Sequence, residues 1–181
     1  QQKISYGLTA IGRDGQVHPM LASQWQIEDE GKSYIFTLAK GFLWHNGQMV
    51  RAQDVNYQIK NVTFTAISDS QLKATLVDRY SPFLTVVSRP SVTSGLRGFG
   101  PMKVISLSLK GDVIQRISLS PIDKSGSIEQ YRFFRTEEAA LLAFKLGEID
   151  RIMDLSSPGD LTNWETVEVS ESQKLDQIVT L

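Results

Sequence analysis

Trp25-Gln26-Ile27-Glu28-Asp29-Glu30-Gly31-Lys32-Ser33-Tyr34-Ile35-Phe36-Thr37-Leu38 reads as two extended arms joined by a polar reversal. In the second arm Tyr34, Phe36 and Leu38 alternate with Ile35 and Thr37, the two-residue period of a strand buried on one face. Glu28 to Lys32 holds four charges and one glycine, a composition that turns and does not pack. A hairpin here sets the class, because most of the chain on either side also offers short apolar stretches between turn signals. Ile4–Ala10 reads as a strand closed by Arg13-Asp14-Gly15, and Pro19-Met20-Leu21-Ala22 as one helical turn. Asn46-Gly47 is a tight-turn dipeptide. Further strands are expected near 62–67, 72–77, 102–109, 113–119, 128–134, 148–153 and 166–169.

Helical signals are fewer. Ala52, Val55, Ile59 and Val62 recur at three- and four-residue spacing, which predicts a helix over about Ala52–Lys60. Pro82–Val87 reads as a short helix. Thr136 caps a helix through Leu146, with Glu137 and Glu138 in its first turn and Gly147 placed to end it. Ala139, Leu142, Ala143 and Leu146 form the stripe expected against the sheet. Leu141 and Phe144 lie on nearly the opposite side, where a missing cover would let the chain self-associate. The class is α+β (mixed α/β), strand-rich. Pro90, Gly95, Gly98 and Gly100 crowd the loop between Ser88 and Gly100, which suggests a subdomain boundary giving residues 1–94 and 95–181.

Composition narrows the function. The chain has 181 residues, 19 Lys+Arg against 20 Asp+Glu and a net charge of −1, so no nucleic-acid partner is expected. With 41% hydrophobic and 22% charged residues it matches an ordinary globular chain rather than a disordered one. No cysteine is present, which removes disulfides, thiolate metal sites and a cysteine nucleophile. No apolar run reaches the roughly 18–20 residues that span a bilayer. The chain opens on Gln1-Gln2-Lys3 without a methionine, as a processed protein or a segment of a longer one does.

Catalytic patterns are weak. His18 and His45 lack metal-ligand spacing, and both lie near turns, where a structural or surface role is the plainer reading. A Ser-His-Asp triad is spatial rather than sequential, but no G-x-S-x-G elbow occurs. Asp29/Glu30 and Glu137/Glu138 look like a solvated turn and a helix start. Gly98-Phe99-Gly100-Pro101 lacks the lysine and hydroxyl of a phosphate loop. Asn61-Val62-Thr63 fits a glycosylation sequon but reads as the start of a strand. No enzyme activity, cofactor or metal is expected.

Three stretches in register carry a resemblance. The first runs through Pro19-Met20-Leu21-Ala22-Ser23-Gln24-Trp25, Tyr34-Ile35-Phe36-Thr37-Leu38, Gly41-Phe42-Leu43-Trp44-His45-Asn46-Gly47 and Ala52-Gln53-Asp54-Val55. The second is Gly98-Phe99-Gly100-Pro101-Met102-Lys103-Val104. The third ends Ala143-Phe144-Lys145-Leu146-Gly147-Glu148-Ile149-Asp150. Together they resemble the signature of family 5 extracellular solute-binding proteins, the receptors of oligopeptide, dipeptide and nickel ABC importers. Arg51 and Met102 depart from the usual threonine and tyrosine, and Ser120-Pro121-Ile122-Asp123 stands where the family has N-P-x-Y-W.

The resemblance implies part of the first lobe of a two-lobed periplasmic-binding-protein-like fold, with the second lobe and an opening strand outside this chain. Residues 1–94 would be the small strand-rich subdomain and 95–181 the middle segment of the main one. It implies a peptide or small-molecule solute, an ABC importer permease as partner, and a periplasmic or extracellular location, lipid-anchored in some members. A non-transport sensor or interaction module on the same fold is the alternative. The aromatic candidates for ligand contact are Trp44, Tyr57 and Tyr80, with core packing the plainer reading of Trp44.

Overall fold

The computed structural model describes residues 3–90 and 96–170, which fold as two compact units: 3–106 with 118–129, and 107–117 with 130–170. The expected boundary at 94/95 falls on residues outside the described ones. The fold is mixed α+β and strand-rich, the first-lobe architecture the resemblance implies.

The first unit is built on an antiparallel sheet of order β3-β4-β6-β5, from Ala22–Glu28, Ser33–Leu38, Gln71–Leu76 and Val62–Ser68. The β3–β4 hairpin forms where the alternation placed it, with Trp25 opposite Phe36 and Ile27 opposite Tyr34. Asp29 and Glu30 take positive φ in the reversal, and Gly31 follows at φ 93. Pairing Tyr34 with Ala74 and Phe36 with Leu72 brings the apolar faces of β4 and β6 together, and Phe64 joins opposite Ala74. Tyr34, Phe36, Leu38, Leu72, Ala74 and Leu76 are all buried there. The short helix α1 (Phe83–Val86) closes this face, with the Phe83 ring 4.7 Å from Tyr34 and 6.3 Å from Phe64. Before this sheet, β1 (Thr9–Ile11) and β2 (Val17–Pro19) form a small hairpin.

Beyond residue 100, β7 (Met102–Lys110), β8 (Val113–Pro121) and β9 (Glu129–Arg132) form a three-stranded sheet in that order. Helix α2 (Glu137–Lys145) belongs to the second unit. The Thr136 hydroxyl accepts the Ala139 N–H at 3.3 Å, and Gly147 takes φ 72 past the helix end. Among the described residues no helix is long and apolar enough to cross a membrane.

Five expectations need correction. Only Ala52–Asp54 is helical, as a single 3₁₀ turn; residues 55–60 are not helical. One turn is a poor nucleus, β-branched Val55 and Ile59 favour extension, and the non-helical course delivers Tyr57 to its tertiary partners. Residues 4–8 form no single ladder, because their backbone bonds are divided: Ile4 O takes Gly100 N–H, Gly7 O takes Leu21 N–H, and Leu8 N–H goes to Val87 O. Pro19 ends β2 and Ala22 starts β3, so Met20 and Leu21 make a bend, not a helical turn. Residues 148–153 and 166–169 are not strands, and among the described residues no neighbouring strand takes up their backbone groups.

The fifth correction concerns the faces of α2. Ala139, Leu142 and Leu146 are exposed, whereas Leu141 and Phe144 are half-buried and Ala143 is buried. The cause lies in the chain that follows. Ser156 Oγ donates to the Glu137 carboxylate at 2.6 Å, and Lys145 Nζ donates to Asp160 at 2.8 Å. Glu137, Leu141 and Lys145 stand four residues apart on one stripe, so these two ties lay residues 156–160 along it. Leu142→Glu is therefore expected to change stability by no more than about 0.5 kcal/mol, and Phe144→Ala to lower it by about 1–2 kcal/mol. Urea denaturation of both variants checks this; the reverse order would restore the face first expected.

Candidate functional site

Trp44-His45-Asn46-Gly47 closes a tight turn in the first unit. Trp44 N–H donates to Gln48 O at 2.8 Å and Gly47, at φ 84, donates back to Trp44 O at 2.7 Å. The turn carries Trp44 inward, where it keeps only 4% of its surface. Its indole N–H donates to Asp54 at 3.3 Å, and the same carboxylate oxygen accepts Arg51 N–H at 3.0 Å. Asp54 thus fixes both the indole and the start of the 3₁₀ turn.

Phe99 meets this turn from the far side of the sequence. Its ring stands edge-on to Trp44 at 5.1 Å and to Phe42 at 5.8 Å, with Tyr6 at 6.1 Å. Edge-to-face contact suits the aromatic quadrupoles, so these rings prefer this crossing to parallel stacking. Gly98 and Gly100 flank Phe99 because nothing larger fits: a Cβ on Gly98 would lie 1.9 Å from Ile4 O, and one on Gly100 2.6 Å from Lys3 O.

His45 completes the attachment. Its backbone N–H donates to Gly98 O at 2.9 Å, Nε2 meets Gly100 O at 3.1 Å, and Nδ1 accepts Gly98 N–H at 3.4 Å. A carbonyl can only accept, so Nε2 carries the proton and Nδ1 offers the lone pair of a neutral ring to Gly98 N–H. Burial pushes the His45 pKa down, and Lys103 nearby adds to the effect against the Gly100 carbonyl. His18 sits apart in the β1–β2 hairpin, with Nε2 at 3.0 Å from Asp14. The two histidines make no common site.

Tyr57 is consumed by the fold. Its hydroxyl accepts Leu8 N–H at 3.0 Å and is shared between Val87 O at 3.0 Å and Arg89 O at 3.1 Å. Burial raises its pKa far above the ordinary phenol value. Tyr80 differs: it is 45% exposed and lines a cleft of about 390 Å³ beside α1. Its lining is apolar at Ile59, Val62, Leu76, Phe83 and Val86, which are buried or half-buried, and polar at the exposed Lys60, Asn61, Asp78 and Arg79, which form its rim. The three aromatic candidates are thus not brought together: Trp44 and Tyr57 lie in fixed internal contacts and Tyr80 faces a cleft. Nothing in the spacing of Lys60, Asp78 and Arg79 had announced that cleft. Among the described residues no group of three or more His, Asp or Glu is placed to hold a metal ion.

Residues 16–91, from the β1–β2 turn through α1, match the profile of the bacterial extracellular solute-binding proteins, family 5 Middle. Over this segment the chain is similar to family 5 of the extracellular solute-binding proteins. The dipeptide-binding protein DppE of Bacillus subtilis is 28% identical over 120 residues, covering 49% of this chain and 22% of that protein. The oligopeptide-binding protein OppA of the same organism is 43% identical over 54 residues, covering 30% of this chain and 10% of its own length. Among solved structures, NikZ from Campylobacter jejuni in complex with Ni(L-His) superposes with a TM-score of 0.65 at 20% identity, over 82% of this chain and 37% of that one. DppA from Helicobacter pylori in complex with the peptide STSA gives 0.61 at 18% identity, over 81% and 40%. The chain therefore spans a minor part of the length of these relatives, and the structural likeness extends the fold beyond the profile match.

Two outcomes test the turn and its attachment. Gly98→Ala must displace a backbone carbonyl, so it is expected to lower stability by about 2–4 kcal/mol in denaturant titration; an unchanged midpoint would mean that Ile4 and Gly98 are not in contact. For His45, the folded state favours the neutral ring, so its contribution is full above the ordinary value of 6.5 and is lost as pH falls below it. In a His18→Gln background, the chain is expected to lose stability between pH 7 and pH 5, and His45→Gln to flatten that slope. Parallel slopes would remove His45 as the cause.

Proposed function

We propose that this chain contributes a strand-rich part of the first lobe of the substrate-binding component of an ABC importer, taking up peptides or similar small solutes outside the cytoplasmic membrane. The observation that carries the reading is the family 5 match over residues 16–91, the segment that contains the four-stranded sheet, the Trp44 turn and α1. The names of the relatives support the solute class: DppE and OppA are dipeptide- and oligopeptide-binding, and the NikZ and DppA structures hold a nickel–histidine complex and a peptide. The role is capture and delivery, with no chemistry done on the solute. The location is periplasmic or extracellular, and the partner is the importer's permease.

A solute held between two lobes draws its contacts from both, and the closing lobe excludes the water that competes for each polar contact. In this reading the second lobe lies outside these 181 residues. Calorimetry of the chain with a mixed dipeptide and tetrapeptide library is therefore expected to show no binding tighter than micromolar. A longer product from the same gene, carrying the second lobe, is expected to bind at least a hundredfold more tightly. Sub-micromolar binding by residues 1–181 alone would overturn the two-lobe reading. A two-lobed product that binds no solute would favour a sensor or interaction module on this fold.

A further inference from the structure

We propose that the cleft beside α1 is a binding site for a small organic anion with an apolar body and one carboxylate, separate from any solute held between lobes. The cleft lies wholly within the first unit and is about 390 Å³, at the lower end of the size of small-molecule pockets. Its floor contains only hydrocarbon and aromatic surface, with Leu76 and Phe83 buried and Ile59, Val62 and Val86 half-buried. Such a floor favours an apolar ligand body at about 25 cal/mol per Å² removed from water.

The rim supplies the charge preference. Lys60 and Arg79 line the cleft and enter none of the ion pairs found among the described residues, whereas most of the ion pairs elsewhere join a cation to a carboxylate across the chain. Asp78 offsets one of the two, leaving one net positive charge over an apolar floor in a chain whose overall charge is −1. A carboxylate placed at this rim meets a cation beside a low-dielectric wall, where the attraction exceeds that of a solvated surface pair. The geometry of the walls is set by the fold. Val77 N–H donates to Asn61 O at 3.1 Å, which ties the two lining segments together, and Val62 N–H donates to Ile59 O at 3.2 Å within the first of them. Tyr80 stands at the mouth with 45% of its surface free, a ring available to stack on an aromatic ligand. A neutral apolar molecule would leave the one net positive charge unanswered, and a dianion would leave one net negative charge at the rim.

The probe is 3-phenylpropionate, with 3-phenylpropanol as its uncharged counterpart, titrated into the isotopically labelled chain and followed by amide chemical shifts. Saturable shifts confined to residues 59–62 and 76–86 are expected, with the alcohol at least tenfold weaker. Lys60→Glu/Arg79→Glu is expected to weaken 3-phenylpropionate at least tenfold and to leave the alcohol unchanged. If the double reversal does not fold, Lys60→Gln alone, at an exposed position, is expected to weaken the acid about threefold and decides the matter. The absence of saturable shifts in this region, equal affinity of acid and alcohol, or indifference to the charge changes would each overturn the proposal. None of these results bears on the importer reading, which is tested with peptides and the two-lobed product.

Discussion

The close approach of Gly98 to the Ile4 carbonyl is the constraint on which the organisation of the first unit rests. Gly100 N–H donates to that same carbonyl at 2.7 Å and Met102 N–H to Lys3 O at 2.9 Å, so residues 98–102 run against the start of the chain. Two glycines allow backbone to touch backbone, and the side chain between them is then aimed without freedom. Phe99 enters the space among Tyr6, Phe42 and Trp44. His45 bonds to Gly98 and Gly100 on either side of it. A segment about fifty residues downstream thereby becomes the lid of the Trp44 turn. A side chain at residue 98 would push the ring out along with the backbone, and the turn would lose packing and hydrogen bonds together.

That constraint joins a local element to a non-local one, whereas the four-stranded sheet is held by a repeated pattern. Tyr34 and Phe36 of β4 face Ala74 and Leu72 of β6 by register, and Leu38 faces Ala22 of β3, so no single contact determines the sheet. The second unit has neither device in comparable measure. Its buried apolar residues among those described are Ile117, Ala143 and Leu161, while Leu109, Leu142, Leu146 and Met153 are more than half exposed. Ion pairs such as Arg132–Glu148 at 2.8 Å and Lys145–Asp160 at 2.8 Å supplement it. Partly exposed pairs of this kind contribute at most about 1 kcal/mol each.

Much of the fold was legible where one periodicity had one explanation. Tyr34, Phe36 and Leu38 alternate over a charged turn, and the hairpin follows; Thr136 and Gly147 bracket α2, and the helix follows. Legibility failed where the same spacing served two outcomes. Ala52, Val55 and Ile59 satisfy a helical stripe, yet Val55 is buried and Ile59 half-buried from a chain that leaves the helix after one turn. Helix α2 is apolar on two sides, and the Glu137–Ser156 and Lys145–Asp160 ties run along the one that is covered. Those ties join residues 15 to 19 apart through a segment without periodicity, and no pattern within the helix encodes them.

The same limit governs the aromatic candidates. Residue type selects Trp44, Tyr57 and Tyr80 equally, because each offers a large ring with a polar handle. Availability of the handle separates them. The Trp44 indole N–H is given to Asp54, and the Tyr57 hydroxyl is shared among three backbone groups, so either would have to break a bond within the fold to serve a ligand. Breaking a buried hydrogen bond leaves its partner unsatisfied at a cost of about 1–3 kcal/mol, which a small ligand would have to offset before it gained anything. Tyr80 carries no such debt and stands over apolar floor between Asp78, Arg79 and α1. Among the three aromatic candidates, Tyr80 is therefore the one whose side chain the fold has left uncommitted, and it lies beside Lys60 and Arg79, which enter no ion pair among the described residues.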